Sequence, residues 1–232
     1  MNARISTKPL TEEEIKSLVS FKVKNAVETV VSNEKGFFES ETPAYTVALW
    51  NFGAKNSTIA NLNAQGYNVI SIPASASAED IMALNVDGIV ISDGPGEPAE
   101  NGNAIQEIKK LLGKKPVLGL GLGHQLIALA LGAKTCKHKY GHRGSNQPVK
   151  CVKSGNVYIS TQNHGYDVVT NSITQGEVLF VNVNDNSCEG IVYESLNTIT
   201  VQFVPEACSI GNPLNPVYSK FVAFMEKEKA NA

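Results

Sequence analysis

The chain has 232 residues, 42% of them apolar and 18% charged, with a formal net charge of −2, as in an ordinary globular domain. That balance gives no electrostatic case for nucleic acid or an anionic membrane surface. No apolar run approaches the roughly 20 residues needed to cross a bilayer. The N-terminus lacks the apolar core of a signal peptide. The four cysteines, Cys136, Cys151, Cys188 and Cys208, are scattered and form no CxxC pair. Neither a metal site nor a disulfide framework is expected from them. Reduced thiols in a cytoplasmic protein are the simplest reading.

Residues 1–44 carry little periodicity. Leu10–Leu18 has a capping threonine, acidic residues in its first turn and apolar spacing, which predict a short helix. Phe21–Val31 fits either state, and Ser32–Pro43 reads as a loop. From Tyr45 the pattern becomes regular. Strands are predicted at Thr46–Trp50, Tyr67–Ile72, Gly88–Ser92 and Pro116–Leu120. Helices are predicted at Asn56–Gln65, Ala78–Leu84, Asn103–Leu112 and His124–Leu131, with glycines closing three of them. Strands alternating with helices predict a parallel sheet covered on both faces, with function gathered at the carboxyl ends of the strands. The loops of interest are then Asn51–Lys55, Asp93–Pro98 and Gly121–Gln125.

After Ala133, short β-like runs at Val149–Val152, Val157–Thr161, Val178–Asn182, Ile191–Tyr193 and Thr198–Phe203 are separated by turn residues. They predict mainly antiparallel strands extending the sheet. A last amphipathic helix, about Pro216–Glu228, has an apolar stripe through Val217, Phe221 and Phe224 that is most simply core. The fold class is thus α/β, an open, mostly parallel sheet flanked by helices with an antiparallel extension.

The chemistry centres on Pro116–Gly132. A buried strand turns through Gly119, Gly121 and Gly123 into a small-residue helix. Strand, tight turn and helix make a nucleophile elbow, whose tip residue points its side chain into a site from a strained backbone. Here the tip is Gly121, which has no side chain to point. Gly119-x-Gly121-x-Gly123 lacks the spacing of a dinucleotide loop, which leaves that alternative little weight. Three further motifs accompany the elbow: Ser92-Asp-Gly-Pro-Gly-Glu-Pro98; Gly141–Pro148 followed by Thr161–Tyr166; and Val201-Gln-Phe-Val-Pro-Glu-Ala207. In isolation, Ser92-Asp93 could be a plain turn, and His124 and His164 are more simply structural than catalytic. Arg143 suits a salt bridge or a partner contact equally.

In this order, the four motifs resemble the class I glutamine amidotransferase family. Within it they look most like the glutamine-hydrolysing small-subunit branch of the carbamoyl phosphate synthetases, over roughly residues 45–225. The resemblance implies a flavodoxin-like three-layer domain at 45–232, preceded by a lead-in, 1–44, similar to the linker after an upstream domain. It implies amide hydrolysis by a Cys-His-Glu triad with two backbone N–H donors for the oxyanion. No cofactor or metal is implied. The implied partner is the large synthetase subunit, which would receive the ammonia.

Carried over by position, the oxyanion donors are Gly96 and Leu122, and glutamine is held by Gly94, Gln125, Asn163, Gly165 and Tyr166. Glu206 takes the triad carboxylate position. The chain departs from the family pattern twice, with Gly121 in place of the cysteine and Val204 in place of the histidine. In another triad enzyme, losing either one costs on the order of a million-fold in turnover. The expectation is a catalytically inactive structural or regulatory partner. The alternatives are a hydrolase using Cys208 or a water, and a sensor of glutamine or a small amide.

Overall fold

The computed structural model describes residues 2–31, 35–205 and 216–231. Its strands are β1 (Gly36–Phe38), β2 (Tyr45–Asn51), β3 (Tyr67–Pro73), β4 (Gly88–Ile91), β5 (Val117–Leu120), β6 (Thr135–Cys151), β7 (Val157–Val168), β8 (Glu177–Asn182), β9 (Cys188–Tyr193) and β10 (Thr198–Val201). Its helices are α1 (Glu12–Ser20), α2 (Ala26–Val30), α3 (Asn56–Ala64), α4 (Ala78–Met82), α5 (Gly102–Leu111), α6 (Leu122–Ala130) and α7 (Pro216–Asn231). The strands form one sheet in the order β1-β3-β2-β4-β5-β10-β9-β7-β6-β8, and β8 also pairs with β9. Strands β3, β2, β4, β5 and β10 run parallel.

Successive side chains on a strand point to opposite faces, and β2 shows both faces buried. Val47 and Leu49 pack with Leu62 of α3 and with Phe221 and Met225 of α7. Ala48 and Trp50 pack with Ile81, Ile108 and Leu126 from α4, α5 and α6. This explains why β2, β4 and β5 read as continuous apolar runs rather than as alternating ones. Each fully buried side chain of this size contributes about 1.5–3 kcal/mol. Among the described residues, no helix is long and apolar enough to cross a membrane.

The structure departs from the sequence expectation in three places. First, β10 is antiparallel to β9 but parallel to β5, with Thr198 opposite Val117 and Val201 opposite Leu120. It is therefore the fifth parallel strand, and its end lies beside the elbow. Second, the short strands expected at Val149–Val152 and Val157–Thr161 are the ends of a long hairpin, β6 and β7, of 17 and 12 residues. Most of β6 is exposed, and its pairing slips between Lys137 and His142 and again between Gly144 and Gln147. A strand with no buried face carries no alternation to read. Third, the loop expected before Pro43 contains β1, an edge strand antiparallel to β3. In the lead-in, α1 is capped by Thr11 and Glu14 in a reciprocal capping box and buries no residue. By contrast, Val27 of α2 joins the core.

Candidate functional site

Strand β5 ends at Leu120 and α6 begins at Leu122, so Gly121 alone makes the turn. Its backbone has φ +51° and ψ −107°, a combination that residues with a side chain adopt only under strain and glycine adopts freely. Its N–H donates to the carbonyl of Val201 at 2.8 Å, which ties the elbow to β10. Two residues on, a Cβ at Gly123 would lie 2.8 Å from the carbonyl carbon of Ile91. The helix can therefore rest on β4 only because that residue is glycine. These contacts aim the first amides of α6 outward, as an anion site at a helix N-terminus requires.

The group that meets those amides is the carboxylate of Asp93. Ser92 fixes the loop after β4: its Oγ accepts from the Phe52 N–H at 2.8 Å and donates to the Asp93 carbonyl at 2.7 Å. Asp93 Oδ1 accepts from the N–H of Gly94 at 2.7 Å and from the N–H of Leu122 at 3.1 Å. Hydrogen bonds to an ionised oxygen are roughly twice as strong as neutral ones. A Cβ built on Gly121 would overlap Asp93 Oδ1 and lie 2.6 Å from its Cγ. One carboxylate therefore fills the space a side chain at 121 would need and occupies two converging amides. The amide that converges with Leu122 is that of Gly94. Gly96, expected in that role, is exposed and lies two residues further along the loop, on the wall of the same cavity.

Val204 is joined to β7 through its N–H, which donates to the Thr161 carbonyl at 3.0 Å. It borders, with Gly121 and Asp93, a void of about 20 Å³, room for about one water. Glu206 and Cys208 lie outside the described residues.

On the other side of Asp93 opens a cavity of about 590 Å³, bordered by Gly94, Leu122, Gln125, Asn163, Gly165 and Tyr166. The structure thus gathers residues from the loop after β4, from α6 and from β7. Gln125 is committed to holding this wall: its Nε2 donates to the Tyr166 carbonyl at 2.6 Å and to Gln202 Oε1 at 2.8 Å. The Tyr166 hydroxyl donates to Glu97 Oε2 at 3.3 Å. Lys22 of the lead-in, Lys137, Arg143 and Gln202 also line the cavity. Sequence reasoning assigned none of these four to the site. Lys22 and Lys137 stand in segments that no motif marks, and tertiary folding alone brings them there. Asp93 had a signal, its place at the end of a parallel strand, but the use of its side chain did not follow from that.

His124 is fully buried on α6, with Nδ1 2.8 Å from Thr200 Oγ1. Burial holds its pKa down, to about 3, with the nearby His164 adding to the effect. The folded protein thus keeps His124 neutral where the unfolded chain would take up a proton. Above pH 6.5 both states are neutral and the group is silent. As pH falls from 6.5 toward 3, stability is lost by at most about 1.4 kcal/mol per pH unit. Urea unfolding at pH 7 and pH 5 should show a decrease that His124→Asn reduces. An unchanged pH dependence in the variant would assign the loss to other groups.

An open α/β sheet with an elbow, paired amides and a cavity at the carboxyl ends of its strands defines an amidotransferase-type domain. The chain belongs to the class-I glutamine amidotransferase family, whose model matches residues 48–223. Among curated proteins it is 40% identical, over 213 residues, to the carbamoyl phosphate synthase small chain of Clostridium perfringens (strain 13 / Type A), covering 91% of this chain and 60% of that protein. It is 44% identical over 188 residues to the corresponding small chain of Syntrophotalea carbinolica, covering 81% of this chain and 50% of the relative. With the pyrimidine-specific small chain of Bacillus subtilis (strain 168) it shares 43% over 180 residues, 78% of this chain and 50% of that one. The chain therefore spans about half to three fifths of the length of these relatives. Its fold is similar to that of a putative GMP synthase subunit from Thermoplasma acidophilum, with TM-score 0.67 and 18% identity over 80% of this chain and 96% of that one.

Proposed function

We propose that this chain is a carbamoyl phosphate synthase small-chain-like domain that does not hydrolyse glutamine and serves as a structural or regulatory partner of a synthetase large subunit. The observation that carries the reading is the Asp93 carboxylate, seated on the Gly94 and Leu122 amides and against Gly121. Hydrolysis of an amide needs a nucleophile at the elbow, a base beside it and free donors for the oxyanion. Gly121 supplies no nucleophile, Val204 supplies no base, and Asp93 places a negative charge where the oxyanion would form. The three features reinforce one another. Glycine at 121 makes the room that Asp93 fills, and a carboxylate there repels the charge that catalysis would develop.

The cavity beyond Asp93 still supports binding of the amino-acid end of glutamine through Asn163, Gly165 and Tyr166. That retention gives a regulatory role a ligand to respond to. The likeness to small chains supports the choice of partner.

The test combines ammonia release from glutamine with co-purification. The chain alone and with a carbamoyl phosphate synthetase large subunit is expected to release no ammonia above background while associating with that subunit. Release at the rate of an intact small chain would sink the inactive reading. Failure to associate would sink the partner.

A further inference from the structure

We infer a divalent-metal site at the junction of β6, β7 and β9, with His142, His164 and Glu189 as ligands and an ion of the zinc class as occupant. It touches the wall of the cavity beside Asp93 through His164 but does not depend on the reading of that site. Three of the chain's four histidines, His138, His142 and His164, meet in this region. His142 Nδ1 lies 3.2 Å from His164 Nε2 and 3.2 Å from Glu189 Oε1, and the last two are 3.9 Å apart. Ligands held at 2.0–2.1 Å around a tetrahedral ion stand about 3.3 Å from one another. These three atoms therefore already make one face of such a tetrahedron.

Glu189 points to an ion independently. It is fully buried, and among the described residues neither of its oxygens has a hydrogen-bond partner. Its nearest ion-pair contacts are the proposed co-ligands themselves, His142 Nδ1 at 3.2 Å and His164 Nε2 at 3.9 Å. A buried carboxylate in that state is costly unless a cation meets it.

The outer contacts orient both rings for the same purpose. His142 Nε2 lies 2.9 Å from Asp185 Oδ2, and His164 Nδ1 lies 3.1 Å from the Tyr166 carbonyl. If each far nitrogen carries the proton, both inward nitrogens present lone pairs to one point, as in the carboxylate–histidine–metal arrangement. A fourth donor is at hand. Gln162 donates through Nε2 to Ser160, which turns its Oε1 to within 3.2 Å of His164 Nε2. Two imidazoles with oxygen donors suit Zn²⁺ or Co²⁺. Bound there, the ion would pin the β7 segment that carries Asn163, Gly165 and Tyr166 on the cavity wall. Without an ion, the cluster would be a charge knot in which His142 is held protonated by Glu189 and Asp185.

The experiment uses the untagged full chain, treated with chelator and titrated with Co²⁺ alone. One equivalent is expected, with the intense visible absorption of tetrahedral cobalt, displaced by Zn²⁺. Glu189→Gln is expected to weaken binding at least about 10-fold. His138→Asn, which removes only the outer alternative set of His138, His142 and Asp185, should leave binding unchanged. Absence of stoichiometric binding, or equal affinity in Glu189→Gln and the unaltered chain, overturns the assignment. Should Glu189→Gln fail to fold, X-ray absorption of Zn²⁺ in the unaltered chain decides. Two imidazole ligands are expected, and one or none overturns the proposal.

Discussion

Gly121→Cys together with Val204→His is expected to leave glutamine turnover near background, whereas adding Asp93→Ala should raise it about 10²–10³-fold over the double variant. The double variant supplies the cysteine and histidine that the proposed triad would need, but not the room they require. A Cβ at 121 would lie 2.6 Å from Asp93 Cγ, so the carboxylate must swing away or hold the new thiol off its attack position. Staying near, it raises the pKa of the thiol, because two like charges in contact disfavour ionisation of the second. It also continues to compete for the Gly94 and Leu122 amides. Loss of one oxyanion donor alone costs about 10²–10³ in turnover, which sets the expected gain from freeing two. A coupled ammonia assay on the three chains measures it. Equal turnover in the double and triple variants would show that Asp93 is no obstacle.

The second large effect is on stability. Gly121→Ala should destabilise the fold by about 2–5 kcal/mol. Roughly 1–3 kcal/mol comes from forcing a side chain into a sparsely populated backbone conformation. A similar amount comes from overlap with Asp93 in a packed site. For a chain of this size the melting temperature falls by about 2–4 °C per kcal/mol, so a drop of about 4–20 °C is expected. Asp93→Ala in the same background removes the overlap but not the backbone cost. The double-mutant cycle should therefore return a coupling of about 1 kcal/mol or more. Additivity within about 0.5 kcal/mol would mean that Asp93 does not occupy the space above Gly121. The comparison is informative because the two costs have separate physical origins and only one of them involves Asp93.

Much of this protein was legible before its structure, for identifiable reasons. The strands β2 to β5 and the helices between them announce themselves because each sheet face is buried, which writes apolar runs and capped helices into the sequence. The elbow is legible because a one-residue turn packed against β4 admits only glycine at Gly123, and because Gly121 marks the tip. Gly94, Gln125, Asn163, Gly165 and Tyr166, proposed from motif positions, border one cavity. The β6–β7 hairpin was mostly illegible: β6 is largely exposed, β7 buries mainly polar side chains such as Ser160, Gln162 and Asp167, and local slips break the period. The parallel neighbour of β10 was hidden for another reason. Pairing direction is a property of two strands far apart in the chain, and β10 has four residues.

The residues alone were enough to read the family of the fold and to set Gly121 and Val204 where the resemblance expects a cysteine and a histidine, because both are matters of residue type at marked places. What lies against Gly121 was settled by the packing alone. Asp93 and Leu122 are 29 positions apart, and nothing local says that the carboxylate of one will sit on the amide of the other. The same holds for Glu189, whose place in the sequence gives no hint that it faces His142 and His164. A side chain's chemistry is local, but the groups that share its few ångströms of space are chosen by the packing of the whole sheet.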